Sequence, residues 1–286
     1  MRKVHVAEES PETGASVSVA VAQAEAIVGD IEANLSTLAV LIERAAGQGA
    51  DVVVTPELFA TGYDPAGAWR HDGAAIRDAI AGLARACGIA VVGSTIETRH
   101  DDGGPRHYIA ASFFSASGRE LARSLKAHLF GAAERAHLGT LGYGSVFEFN
   151  GLRCAMGTCY DVEFPEFVRH GARAGAQLFL VPTAVPALHH QEPGRGPAWS
   201  YDATQTSLLQ VPARALENGV AIAYANHAAA GFTAHSCIAT PYGRNAALIE
   251  AGEGVAVVRV DAASIDAARR LNTYLVDVDR PGLRNE

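Results

Sequence analysis

Cysteine is scarce in this chain and poorly placed for cross-linking. Cys87, Cys154, Cys159 and Cys237 are the four among 286 residues, with no CxxC pair and no dense framework. That excludes a disulfide scaffold and points to reduced thiols and a cytoplasmic home. Basic clusters are missing too, and the net charge is −8. Nucleic acid and anionic membrane surfaces are therefore not expected as partners. No apolar run reaches the length of a transmembrane helix, and the N-terminus lacks the apolar core of a signal peptide. The eleven histidines contain no HExxH and no two-His metal spacing. Neither a metal nor an organic cofactor is expected.

What remains is a well-mixed globular composition, 49% hydrophobic and 19% charged, able to build a substantial core. The length suits one large α/β domain or two small ones. No linker divides it, so residues 16–286 read as one domain behind a polar, loosely ordered extension, residues 1–15.

Apolar spacing predicts strands over 17–24, 51–55 and 89–94, and helices over 31–46 and 74–86. Two hairpins follow, one turned at Ser117-Gly118 and one at Asn150-Gly151. A helix over 164–174 leads into a buried strand over 177–181. Residues 186–201, rich in Pro, Gly and His, read as a long loop. Pro212 should delay or kink a helix over 205–217. Strands over 220–226, 235–240, 246–249 and 254–260 come next. Asp261 caps a last helix to Leu271, and the tail from Asn272 reads as irregular.

One internal echo stands out. RAAGQGADVVVTP at 44–56 resembles RAGAQLFLVP at 173–182. Each is a helix end, a Gly-Ala turn, a buried strand and a proline. The echo suggests two halves of one sandwich.

Three residues sit where chemistry is plausible. Cys159 ends an apolar strand, at the edge where open α/β sheets bind ligands. A helix N-terminus ahead of it would favour the thiolate. Cys154, five residues earlier and inside the strand, reads as a buried core thiol. Glu57 follows a buried strand and a proline, a costly place for a carboxylate unless it is paired or functional; by itself it could equally be a cap. Lys126 is flanked by apolar residues and by itself could be a snorkelling surface lysine. No histidine can be assigned as partner to the thiol.

The three lie in Thr-Pro-Glu-Leu-Phe-Ala-Thr-Gly-Tyr, Lys-Ala-His-Leu-Phe-Gly and Gly-Thr-Cys-Tyr-Asp-Val-Glu-Phe-Pro-Glu, in that order. Together these motifs resemble the nitrilase superfamily, carbon–nitrogen hydrolases with a Glu-Lys-Cys triad. The likeness runs from about Val17 to Arg284. It includes Val181-Pro182-Thr183-Ala184, Pro241-Tyr242-Gly243 and Asp279-Arg280-Pro281. The resemblance implies an α/β four-layer α-β-β-α sandwich with two pseudo-repeated halves. It makes Cys159 the nucleophile, Glu57 the general base and Lys126 the third member. Glu134 falls where the family often has a second glutamate. Tyr63 matches the tyrosine of the first motif, and the N–H of Tyr160 would donate to an oxyanion.

The implied reaction is hydrolysis of a small linear amide through a thioester, with a small-molecule amide as partner and a homodimer or larger assembly. N-carbamoyl-amine hydrolase, nitrilase and a catalytically silent binding protein remain open. Two departures from the family bear on specificity. Ala122-Arg123-Ser124-Leu125 replaces the usual Tyr-Arg before the lysine, and the 186–201 stretch is long and polar. Trp199, Tyr201 and His189-His190 are its candidate rim residues.

Overall fold

The computed structural model describes residues 14–278. In chain order the first half comprises β1 (Ser16–Gln23), α1 (Ile31–Gly47), β2 (Val52–Val54), α2 (Gly73–Cys87), β3 (Ala90–Asp101), β4 (Gly104–Phe114), β5 (Glu120–Leu125) and α3 (Gly131–His137). The second comprises β6 (Phe147–Phe149), β7 (Leu152–Met156), α4 (Pro165–Arg173), β8 (Leu178–Pro182), β9 (His189–Gln191), β10 (Ser200–Asp202), α5 (Val211–Asn218), β11 (Ala221–Ala225), β12 (Ser236–Ala239) and β13 (Asn245–Ile249). Then come β14 (Gly254–Asp261), α6 (Ala262–Leu271) and α7 (Tyr274–Asp277).

Strand alternation produces the layers. In β1, Val17, Val19 and Val21 point into one apolar cluster, and Ala20 and Ala22 into another. In β8, Leu178 and Leu180 join the first cluster, while Phe179 and Val181 join a third. Successive side chains leave a strand on opposite faces, so a strand buried on both faces must be apolar throughout. The shared cluster lies between two sheets. The other two lie under α1 and α2 on one side and under α4 and α5 on the other. This is the α-β-β-α sandwich that the sequence implied.

The sheets are ordered β14-β1-β2-β3-β4-β5 and β6-β7-β8-β11-β12-β13. In each, three central strands run parallel, β1-β2-β3 and β7-β8-β11. An antiparallel strand flanks one edge, β14 or β6. Two antiparallel strands extend the other, β4-β5 or β12-β13. The echo between 44–56 and 173–182 is therefore the α1–β2 and α4–β8 step of one repeated plan.

Several expectations need correction. Residues 186–201 are not a bare loop: β9 and β10 pair antiparallel, and the connection carries a 3₁₀ turn at Pro197–Trp199. Both strands are short and surface-lying, so no core alternation marked them. The tail is not wholly irregular, because α7 forms before the described residues end. The strands β3 and β4 run further than their apolar parts, as a ribbon whose polar tip lies in solvent. The helix over 205–217 divides, with a π-helical turn at Thr206–Gln210 ahead of α5 and Pro212 in the first turn of α5. Asn150 and Gly151 turn the β6–β7 hairpin at φ 48° and 77°, as a two-residue primed turn requires. Asp279-Arg280-Pro281 and residues 1–13 of the proposed extension lie outside the described residues.

Candidate active site

Three strand ends meet at one edge of the sandwich. Glu57 follows β2, Lys126 immediately follows β5, and Cys159 follows β7. All three are buried, as is Glu134 on α3. Lys126 Nζ donates to Glu57 Oε1 and to Glu134 Oε1, each at 2.7 Å. The Tyr63 hydroxyl donates to the same Glu134 oxygen at 2.7 Å, and the Phe130 N–H donates to Glu134 Oε2 at 2.7 Å. Tyr63 is therefore more than packing. Sequence reasoning anticipated Glu134, though the short helix carrying it went unread: α3 buries only that one residue and shows no apolar periodicity.

Local geometry brings the thiol to this cluster. Cys159 has φ 50°, a left-handed conformation that is costly for a residue with a Cβ. The 3₁₀ turn Cys159–Glu163 begins there, and Asp161 caps its start. Thr158 N–H donates to Asp161 Oδ2 at 3.0 Å within a capping box. The other oxygen of Asp161 accepts from the Ala127 and His128 N–H groups at 3.2 and 2.8 Å. One carboxylate thus binds the lysine's loop to the cysteine's turn. The absent side chain of Gly157 makes room for the Phe167 ring.

Glu57 is fixed from the opposite half. Its N–H donates to Thr183 O at 3.0 Å, and its carbonyl lies 2.7 Å from His227 Nε2. His227 stacks between Phe59 and Phe232, with ring centroids 5.6 and 4.8 Å away. Burial pushes its pKa down to about 4, so the neutral ring donates through Nε2–H. Nothing in the sequence marked His227 out from the other scattered histidines as a core residue. It is one, satisfied by the backbone of Glu57.

Burial, reinforced by the like charge of Glu134, raises the Glu57 carboxyl to about 7 against the opposing pull of Lys126. Its Oε2 is buried without a hydrogen-bond partner, and the thiol of Cys159 is near enough to favour the charged form. Lys126 is buried, yet Glu57, Cys159 and Glu134 hold it in the charged form well above its usual value. Burial and the charge of Glu57 push the Cys159 thiol up, against Lys126. The helix-dipole expectation of a ready thiolate is thus reversed, because α4 starts six residues later and desolvation dominates. The Ala184 N–H donates to Sγ at 3.5 Å. Cys154 lies in the inter-sheet core, with its thiol pushed up to about 12 by burial alone.

Tyr160 stands next to the thiol, with its ring edge-on to Phe130 and Phe164. Of the rim candidates, Tyr201 lines the pocket over Cys159. Trp199 instead lies under the Arg195 guanidinium at 4.0 Å, and His189 and His190 are exposed. All four cysteines are free thiols. Among the described residues no cluster of three His, Cys, Asp or Glu could hold a metal ion, and no helix is long and apolar enough to cross a membrane.

Residues 18–270 match the carbon–nitrogen hydrolase family. The chain belongs to that family. It is 33% identical to an omega-amidase of Danio rerio over 80% of this chain and 82% of that one. It is 30% identical to a 2-oxoglutaramate amidase of Bacillus subtilis over 80% and 83%. An amidase of Nesterenkonia from the nitrilase superfamily superposes with a TM-score of 0.78 at 32% identity, over 93% of this chain and 95% of that one. A variant of that amidase carries the acetamide moiety of fluoroacetamide, covalently added at its active site cysteine. This carbon–nitrogen hydrolase is accordingly an amidase-type member of the nitrilase superfamily.

Proposed function

We propose that the protein hydrolyses small linear amides through a thioester on Cys159. The observation that carries this reading is the buried Glu57–Lys126–Glu134 cluster beside a strained cysteine. Sγ attacks the amide carbonyl while Glu57 takes the thiol proton. The proton passes to the departing nitrogen, the C–N bond breaks, and ammonia or an amine leaves. Water then attacks the thioester, gives a proton to Glu57, and the carboxylic acid departs as the thiol re-forms.

A base near pH 7 suits a thiol that burial keeps protonated. Lys126, kept cationic by two carboxylates, stabilises the developing oxyanion together with the N–H of Tyr160. Glu134 and Tyr63 hold Lys126 and the substrate amide in place. Because Glu57 is coupled to its neighbours, its titration belongs to the group.

The covalent adduct on the Nesterenkonia cysteine is formed by a nucleophilic thiol, which favours a nucleophilic role for Cys159. The proposal includes a small-molecule amide as the partner and a homodimer or larger assembly. Leu208 and Leu209, 47% and 61% exposed beside α5, are apolar surface that such an assembly could cover. Light scattering checks the mass. Ammonia release from acetamide, propionamide and butyramide tests the activity; release by the protein but not by Cys159→Ala is the expected result. Release undiminished in that variant would overturn the mechanism.

A further inference from the structure

A narrow cleft lies over Cys159, with about 260 Å³ of empty space that includes open solvent. Its walls are apolar, from Phe130, Val185, Pro186, Leu188 and Ala203, and Tyr201 stands at the rim. Among the residues lining it, Glu163 alone carries a formal charge.

Three contacts show that Glu163 is held as part of the wall. It closes the 3₁₀ turn that starts at Cys159. Its main-chain carbonyl accepts from Arg214 Nη2 at 3.1 Å. The Gln210 side chain lies close enough to its carboxylate to favour the charged form. Burial raises its pKa, against Arg214, Lys126 and Gln210. Arg214 also pairs with Glu217 at 3.2 Å, so its charge is shared along α5. Lys126 lies beneath the thiol between two carboxylates. An acyl chain entering this cleft therefore meets apolar walls and a single carboxylate.

We infer that Glu163 sets acyl-chain specificity, disfavouring amides with a carboxylate at the far end and favouring those with no charge or with an ammonium there. The inference rests on the amidase reading. It predicts that 2-oxoglutaramate, which carries a carboxylate, is disfavoured by this chain although a relative is named for acting on it. A like charge brought against Glu163 inside an apolar pocket is strongly repelled, whereas an ammonium is attracted.

The test uses three amides of one length: butyramide, 4-aminobutyramide and succinamate. Their binding to Cys159→Ala is measured by calorimetry, so that turnover does not enter. The expected order is 4-aminobutyramide at least as tight as butyramide, with succinamate weaker by about tenfold or more. In Cys159→Ala/Glu163→Gln the gap between butyramide and succinamate should shrink severalfold. Succinamate binding as tightly as butyramide to Cys159→Ala overturns the inference, and so does an unchanged gap in the double variant. The first comparison leaves Glu163 untouched, so it stands even if the second variant folds poorly. Ammonia release from butyramide by the unsubstituted protein reports separately on the amidase reading.

Discussion

The two halves share one plan and end their matching strands differently. Pro56 ends the β2 step, and Pro182 ends the β8 step. The next residue is Glu57 in the first half and Thr183 in the second. The two touch, with Glu57 N–H donating to Thr183 O at 3.0 Å. Beyond β7 stands Cys159. Beside the end of β1, the matching strand, Gln23 accepts from Ser236 N–H at 2.9 Å and donates to Gly252 O at 2.8 Å. The repeated architecture thus has two comparable sets of strand ends. One half gives the carboxylate and the lysine, and the other gives the thiol. The remaining positions stitch the halves together. The fold provides the meeting point, and single residues decide which strand end carries chemistry.

Making the halves alike at the first of these positions should cost most. Glu57→Thr puts the second half's hydroxyl where the base stands, and kcat/KM for amide hydrolysis should fall by about 10³-fold or more. The unsubstituted protein should show the same dependence as a pH profile. Below the raised Glu57 pKa of about 7 the carboxyl is protonated and cannot accept the thiol proton. There kcat/KM should drop by about tenfold per pH unit and level off above. A profile flat from pH 5 to 8 would remove Glu57 from the role of base.

Lys126→Met should lower kcat by about 10²-fold and also weaken the fold. It leaves two buried carboxylates facing each other without their cation. Removing one partner of a buried pair costs about 3–5 kcal/mol, a loss that denaturant melts would show. Neutral stability would mean that the carboxylates take up protons and the cation is dispensable to the fold. A smaller effect belongs to Tyr63→Phe, which deletes the 2.7 Å hydrogen bond to Glu134 and keeps the ring. A hydrogen bond to a charged group is worth about 1.5–3 kcal/mol of stability, so denaturant melts should lose about that much, and kcat should fall about tenfold. Smallest is Cys154→Ala. It removes a core thiol remote from Glu57, so activity should stay within about twofold while stability drops by about 1 kcal/mol.

Much of this was readable from the chain. Glu57 and Cys159 each follow a short apolar strand, where polar groups need a reason, and the resemblance of the three motifs to the nitrilase superfamily joined Lys126 to them. The hairpin at Asn150-Gly151 and the cap at Asp261 were legible because turn and cap chemistry is local. What stayed hidden depends on contacts across the fold. His227 reaches Glu57 from 170 residues away. Asp161 holds a loop 33 and 34 residues distant. The thiol's protonation was misjudged because sequence shows the helix after Cys159 but not the depth of its burial, and burial dominates. The β9–β10 hairpin escaped notice because it packs no core face.

The central claim, that acyl transfer passes through the second half's strand-end thiol, is tested most directly by trapping the intermediate. The protein is mixed with butyramide, quenched in acid, digested and analysed by mass spectrometry. The account predicts a butyryl group on the peptide containing Cys159, removed by hydroxylamine and absent from Cys159→Ala. A butyryl group on Cys154, or hydrolysis at full rate in Cys159→Ala, would contradict it.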